Sequence, residues 1–428
     1  MKILSIETSC DETAISILEA KGVFGDAENP VKFKILANTL ISQIDIHKEY
    51  GGVFPALAKR EHAKNLIPIL RKTLEEAKLN NQITKTKNPW ESNTQVEEIL
   101  ERESDLLKLF LEYIPTIKIP EIDAIAITQG PGLEPALWVG INFAKALSLV
   151  WKKPLIPVNH MEGHLLSSFI GSESKTQSQK SKEIEFPAIG LLISGGHTEL
   201  ILMEKFREYK KIGQTRDDAI GEAFDKVARM MDLPYPGGPE ISKLAQIQRE
   251  KQIDSVPSTN IKLPRPMLNT DNFDFSFSGL KTAVLYLIKN LKKDLLAGKA
   301  GNSRNELPEE IKEEIALEFE NAVTEILLKK SEKAIAKYQA KTLILGGGVI
   351  ANNHIRQSFE SLSSRGTDLE ILIPEREFST DNAIMIGIAG YFKYMEQNPK
   401  PLIGQKKKGQ LQTATDLVNL QANGNLKL

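Results

Sequence analysis

Short apolar runs separated by polar turns dominate the start of the chain. KILSI and TAISIL, rich in β-branched residues, flank the polar stretch ETSCDE and read as a strand, a turn and a strand, with FKILANTLIS as a third strand. Between Pro55 and about Leu79 the period changes: Leu66, Ile67, Leu70 and Leu74 fit a helix, with Pro68 a kink. IDAIAIT at 122–128 is a buried strand, QGPGL a turn into a helical run over 134–150, and PLIPV a further strand. The same grammar then restarts with AIGLLIS, the turn GGH and TELILM, followed by helical stretches at 217–231 and 239–250. Near the end, TLILGGG and EILIP are strands, each followed by a helical pattern. Two halves that each begin with strand, polar turn and strand predict a duplicated α/β lobe with a cleft between. The first lobe is expected over 1–150, completed by a helix at about 380–395, and the second over 151–379.

Three polar stretches, at about 80–105, 171–185 and 297–310, read as surface insertions. Their Ser, Lys, Gln and Asn content cannot bury enough apolar surface to offset the entropy of ordering. The segment 398–428 reads as a polar tail. A chain of 428 residues calls for two domains or lobes. Lys plus Arg number 55 against 56 for Asp plus Glu, so a nucleic-acid partner must be held by a local basic patch rather than a global field. Cys10 is the only cysteine, which rules out an internal disulfide and suits a reducing compartment, as a small buried residue or as a reactive one. With no leader pattern in MKILSIETSC and no apolar run of membrane-spanning length, a cytoplasmic location and no membrane partner are expected.

Four constellations carry candidate chemistry. ISGGHTEL (193–200) places two glycines between strands, where backbone amides can turn toward an anion, or where a plain turn suffices. LGGGVIANNHIR (345–356) puts three glycines between strand and helix, suited to a phosphate or to tight packing. It lacks both the dinucleotide spacing and the P-loop Lys-Ser/Thr. DDAIGEAFDK sets Asp217, Asp218, Glu222 and Asp225 on one helix ahead of YPGG, either as a solvated face or with Asp225 meeting Gly237 and Gly238 at a ligand. NHMEGH sets His160 and His164 at i and i+4, where two imidazoles can chelate one divalent cation. A zinc-protease signature needs the glutamate directly after the first histidine. Met161 stands there and Glu162 points elsewhere. A third ligand must come from afar, and Asp381 in EFSTDNAIM is a candidate, with Ser379 or Thr380 capping the helix that follows.

Taken in order, IETSCDETA, HKEYGGVFPALAKREH, QGPGL, NHMEGHL, ISGGHTEL, DDAIGEAFDK, YPGGP, FDFSFSGLKT, GGGVIAN and STDNA resemble the bacterial tRNA adenosine threonylcarbamoyltransferase family, once labelled an O-sialoglycoprotein endopeptidase. The resemblance spans residues 1 to about 392, outside the insertions. It implies an actin-like ATPase (ASKHA) fold of two lobes, each a ribonuclease-H-like mixed sheet flanked by helices. It also implies transfer of the threonylcarbamoyl group of L-threonylcarbamoyladenylate to N6 of adenosine-37, in tRNAs reading codons that begin with adenine, with release of AMP. By the same resemblance His160, His164 and Asp381 are ligands of one divalent metal ion, iron or zinc. Leu192, Ile193, Ser194, Gly195, Gly196, Asp225, Gly238 and Asn352 form the adenylate-binding set. Glu12 is a hypothetical general base. The implied partners are tRNA, an inactive paralogue forming a heterodimer, and a small P-loop ATPase.

The chain departs from the family pattern at Ala56, where a glutamate is usual, and at Pro135, where a glycine is usual; both lie in the first lobe, where the partner docks. Leu192 replaces the tyrosine of archaeal and eukaryotic relatives. The alternatives are a zinc metalloprotease and a nucleotide-dependent binding module of the same fold.

Overall fold

The computed structural model describes residues 1–26, 28–80, 94–168, 179–180, 184–253, 261–297, 307–363, 368–398 and 419–428. Two compact units emerge, Met1–Glu183 with Asp381–Leu428, and Ile184–Thr380. Residues 151–183, expected in the second lobe, belong to the first unit. The reason is local: the strand after Lys153 pairs with the strand that begins at Ala124, not with anything in the second unit.

The sheet of unit 1 runs β5-β4-β1-β2-β3-β6, from β1 (Lys2–Glu7), β2 (Glu12–Lys21), β3 (Lys32–Ser42), β4 (Ala124–Gly130), β5 (Leu155–Asn159) and β6 (Gln179–Lys180). β1, β2 and β3 form an antiparallel meander, and β4 and β5 run parallel to β1. Alternation sorts the side chains by face: Leu4, Ile6, Ile15 and Ile17 join a core with helices α2 (Pro55–Glu76) and α5 (Glu134–Trp151). Ser5 faces the other way, toward α13 (Ala383–Gln397), where a Cβ on Gly387 would come within 2.3 Å of Leu18 Cδ2. Pro68 sits inside a continuous α2, and Pro135 falls in the first turn of α5, where its missing N–H costs no hydrogen bond. α1 (Ile44–His47) precedes α2.

Part of the expected 80–105 insertion is structured. Residues 81–93 lie outside the described set, but α3 (Thr94–Leu100) and α4 (Ser104–Tyr113) bury Val96, Leu100, Leu106 and Phe110 in the same core. The apolar stripe of these helices outweighs their many charges. Most of 171–185 and of 297–310 also lies outside the described residues, although Leu307 is buried and helix formation resumes at Glu309. Within the tail, Leu420 is buried against the core of unit 1, so the segment is not uniformly solvated.

Unit 2 repeats the plan. β7 (Ala188–Ile193), β8 (Thr198–Met203) and β9 (Tyr209–Gln214) form the meander, and β10 (Thr342–Gly346) and β11 (Glu370–Leu372) continue parallel to β7, giving the order β11-β10-β7-β8-β9. Both units thus have the ribonuclease-H-like order, and the predicted duplicated α/β architecture is met. The helices are α7 (Ile220–Met230), α8 (Gly237–Ile253), α9 (Ser278–Ala297), the long α10 (Glu309–Tyr338), α11 (Asn353–Ser363) and the single turn α12 (Arg376–Ser379). Because α7 begins at Ile220, Asp217 and Asp218 precede the helix instead of lying on it. Asp217 caps α9 through the amides of Phe277 and Ser278 at 2.8 and 3.1 Å, and Asp218 pairs with Lys226 and Lys281. Among the described residues no helix is long and apolar enough to cross a membrane.

The polar turn between β1 and β2 is anchored by a buried histidine of α2. His62 Nε2 donates to the Cys10 carbonyl at 3.0 Å, and its Nδ1 lies 2.8 Å from Thr13 Oγ1. Burial lowers the His62 pKa to about 4. The unfolded chain therefore takes up this proton first, so the stabilisation is complete above about pH 6.5 and is lost as pH falls toward 4. At pH 5 the loss is about 2 kcal/mol. Denaturant melts between pH 7 and 4.5 should show this slope for the native chain and a flatter one for His62→Gln.

Candidate metal centre and ligand cavity

α6 (His160–Ser167) starts where it does because Asn159 caps it, its Oδ1 accepting from the amides of Met161 and Glu162 at 2.8 and 3.3 Å. One helical turn then stacks His160 and His164, with ring centroids 4.6 Å apart and planes at 86°. Asp381 places Oδ1 3.5 Å from His160 Nε2 and 3.1 Å from His164 Nε2. One ligand atom from each residue lies within 4.8 Å of the others, so all three can reach a single ion. The helix cap beside Asp381 is Asn382, accepting from Met385 N at 3.0 Å, and not the expected Ser379 or Thr380. Glu162 is no member of this trio.

Behind the trio stands Glu7, which the sequence reading missed. Its Oε2 is 3.2 Å from His160 Nδ1 and accepts from Thr128 Oγ1 at 2.5 Å, while Oε1 accepts from Ser9 N at 2.5 Å. Ser9 Oγ also lies 3.2 Å from His160 Nδ1. Burial alone would lower the His160 pKa, but the carboxylates of Asp381 and Glu7 reverse this and hold it up at about 9. Burial pushes the Glu7 carboxyl up, and the adjacent His160 more than offsets it, leaving it lowered. The donor set fits a divalent transition metal: two imidazoles and a carboxylate converge, and His160 has a carboxylate on its second ring nitrogen, the usual support of a metal-bound histidine. His164 Nδ1 is buried with no hydrogen-bond partner among the described residues, and burial lowers its pKa, which favours the neutral, ligating form.

Glu12 opens β2 and accepts from Ser42 Oγ at 3.4 Å. Burial first, then the charges of Asp11 and Asp381, raise its pKa well above the carboxylate range. Burial and Asp11 also raise the Cys10 thiol well above its usual pKa, which keeps it neutral and fits the unreactive reading.

Unit 2 holds a cavity of about 310 Å³ whose lining includes Gly195, Asp225, Gly238 and Asn352. Four of the expected adenylate residues therefore meet. Leu192 and Ile193 are fully buried in the sheet and do not line it, while Ser194 closes the turn, its amide donating to the His197 carbonyl at 2.9 Å. Gly196 is exposed beside it. Asp225 Oδ1 accepts from the Gly237 amide at 2.7 Å, bracing the first turn of α8. Asn352 is a wall rather than a free hand: its Nδ2 donates to Glu320 Oε1 at 2.6 Å and Ser242 Oγ at 3.2 Å, and its Oδ1 accepts from Ile355 N at 3.0 Å. Gly221, not singled out in the sequence, lets α7 approach the turn, since a Cβ there would sit 2.7 Å from Gly195 Cα.

A two-unit α/β protein with a candidate metal trio in one unit and a small-ligand cavity in the other is the class these features define. The family model described as tRNA N6-adenosine threonylcarbamoyltransferase matches residues 34–89 and 106–388, and the chain belongs to this family of transferases. The tRNA N6-adenosine threonylcarbamoyltransferase of Thermosipho africanus is 40% identical over 92% of this chain and 94% of its own length. That of Dictyoglomus turgidum is 40% identical over 95% of this chain and 100% of its own. Among solved structures, the (R)-2-hydroxyglutaryl-CoA dehydratase component A of Acidaminococcus fermentans covers 92% of this chain and 98% of its own with 12% identity and a TM-score of 0.41. The metalloprotease and binding-module alternatives find no support in the curated relatives.

The wall behind Asn352 rests on Glu320, which is fully buried and paired with Arg249 at 2.7 Å. Glu320→Ala strands the guanidinium and should destabilise unit 2 by about 3 kcal/mol, read as a lower denaturant midpoint. Glu320→Gln, which keeps the acceptor for Asn352 and Ser242, should lose less.

Proposed function

We propose that this chain transfers the threonylcarbamoyl group of L-threonylcarbamoyladenylate to N6 of adenosine-37 in tRNAs reading codons that begin with adenine, releasing AMP. The observation that carries the reading is the convergence of His160, His164 and Asp381 in a chain that matches this family over most of its length. We assign one divalent ion, iron or zinc, to that trio and the adenylate to the cavity lined by Gly195, Asp225 and Gly238. The cytoplasm, where tRNA is modified, is the setting proposed. A paralogue forming a heterodimer and a small P-loop ATPase are the proposed protein partners.

The donor is a mixed anhydride and already activated, so the protein's task is placement and charge stabilisation. In the transfer the N6 lone pair forms the new bond to the carbamoyl carbon, the carbon–oxygen bond to phosphate breaks, and AMP departs with that electron pair. A bound ion at the trio supplies Lewis acidity toward the developing negative charge. Glu7 holds the His160 ring so that Nε2 faces Asp381. Glu12, with its raised affinity for a proton, is the proposed acceptor of the proton that N6 must lose.

The test incubates the chain and its partners with threonylcarbamoyladenylate and unmodified tRNA, then digests the tRNA and measures the modified nucleoside by mass. His160→Ala should reduce the yield at least about 100-fold, and prior chelation should do the same until iron or zinc is restored. Glu12→Ala should slow transfer by about 100-fold or more, the usual range for a general base; unchanged transfer would remove Glu12 from the mechanism. An unmodified tRNA pool with the native chain and all partners present would overturn the assignment.

A further inference from the structure

The segment 419–428 lies across the elements that hold His160. Leu420 is 8% exposed and anchors it in the core of unit 1. Beyond Leu420 the hydrogen bonds run to backbone and to two side chains, Gln129 and Asn159: the Gln421 carbonyl accepts from Gln129 Nε2 at 3.2 Å, the Asn423 amide donates to the Gln129 carbonyl at 3.0 Å, and the Gly132 amide donates to the Gly424 carbonyl at 3.2 Å. The Lys427 carbonyl then accepts from Asn159 Nδ2 at 3.1 Å. The fit is close, for a Cβ on Gly130 would lie 1.9 Å from the Asn423 oxygen.

Both places the segment touches lead to His160. Asn159 is the cap of α6, so its amide group is shared between the two functions: Oδ1 holds the first turn of α6, and Nδ2 is held by Lys427. With both ends engaged, the side chain is fixed in the orientation that caps the histidine-bearing helix. The Gln129–Gly132 turn makes the second route. Leu133 N donates to the Ser9 carbonyl at 2.7 Å, and a Cβ on Gly132 would come within 2.6 Å of that oxygen, so the turn sets the position of Ser9. Ser9 in turn faces His160 Nδ1 at 3.2 Å.

We propose that residues 419–428 are a positioning strap for the metal centre, locking the Gln129–Gly132 turn and the Asn159 cap so that His160 and His164 keep their shared aim at Asp381. The strap is not a catalytic element; it acts through Asn159 and Ser9. The inference rests on the assignment of a metal to the trio, and the measurements below separate the two.

The native chain, a version ending at Val418, and Asn159→Asp are compared. Asn159→Asp keeps the oxygen that caps α6 and removes the donor to Lys427. Cobalt(II) or zinc affinity is measured by competition with a chromophoric chelator, independently of any transfer. Supporting partners of metal ligands are worth about 10- to 100-fold in affinity, and losses of that order are expected for the shortened chain, with a smaller one for Asn159→Asp. In the transfer assay kcat should fall while KM for the adenylate donor holds, since the donor cavity belongs to unit 2. A synthetic peptide of residues 419–428, added in trans, should restore metal affinity to the shortened chain, and a scrambled peptide should not; loss that the peptide leaves unrepaired overturns the proposal, as does native affinity in both variants. A native chain that binds no metal at all would instead refute the metal assignment, and one that binds metal but transfers nothing would refute the proposed reaction while leaving the strap measurable.

Discussion

Everything in unit 1 is arranged around one hydrogen-bonded pair, the carboxylate of Glu7 and the imidazole of His160 at 3.2 Å. Neither group can be buried alone, because an isolated charge in the interior costs several kcal/mol. The fold gathers this pair and its neighbours from five directions. β1 ends at Glu7, the turn after it brings Ser9, β4 brings Thr128, α6 brings His160 with His164 one turn on, and the approach to α13 brings Asp381. A sheet whose β1 sits between β2 and β4 is what allows the end of β1 to be enclosed in this way. Against the effect of burial, the carboxylates of Asp381 and Glu7 raise His160 to about 9, so a proton on the ring offsets part of their charge. A divalent ion held by His160, His164 and Asp381 would offset both carboxylates.

Unit 2 reaches a ligand cavity with the opposite resource. The deeply buried Glu320 behind the cavity wall engages Arg249, Ser242 and Asn352 and so fixes the wall. What the cavity offers is close backbone approach at Gly195, Gly221 and Gly238, a single carboxylate at Asp225, and apolar walls at Phe224, Pro236 and Val349. Such a lining suits a flat, partly apolar group whose few polar atoms meet the main chain and Asp225.

The strands and the two histidines were legible in the sequence because both depend on local spacing: β-branched runs bounded by turns, and an i, i+4 pair. Asp381 was legible only as a candidate, since 217 residues separate it from His164 and nothing in spacing joins them. Glu7 was invisible for a related reason. A single acid at the end of an apolar strand reads as the strand's edge, and only the partners from β4 and α6 reveal it as buried. The helices α3 and α4 were hidden by their charges, although Val96, Leu100, Leu106 and Phe110 carry a helical stripe. The segment 419–428 was hidden more thoroughly. Its contacts are made largely by main-chain carbonyls and amides, which every sequence possesses, and Leu420 and Gly424 are the only hints of close packing.

The duplication explains how one plan yields two kinds of site. In each unit the turn joining the first two strands of the meander stands at the same topological place, ETSCDE between β1 and β2, and SGGH between β7 and β8. In each, the next parallel strand runs into a glycine-containing turn, at Gly130–Gly132 and Gly346–Gly348. Where the first turn carries acids and Ser9, it can neutralise histidines and gather a cation. Where it carries glycines, no side chain intervenes and the main chain at Gly195 itself lines the cavity. The division of chemistry between the units therefore follows from a handful of residues in equivalent turns, and the shared sheet order is what makes those turns equivalent.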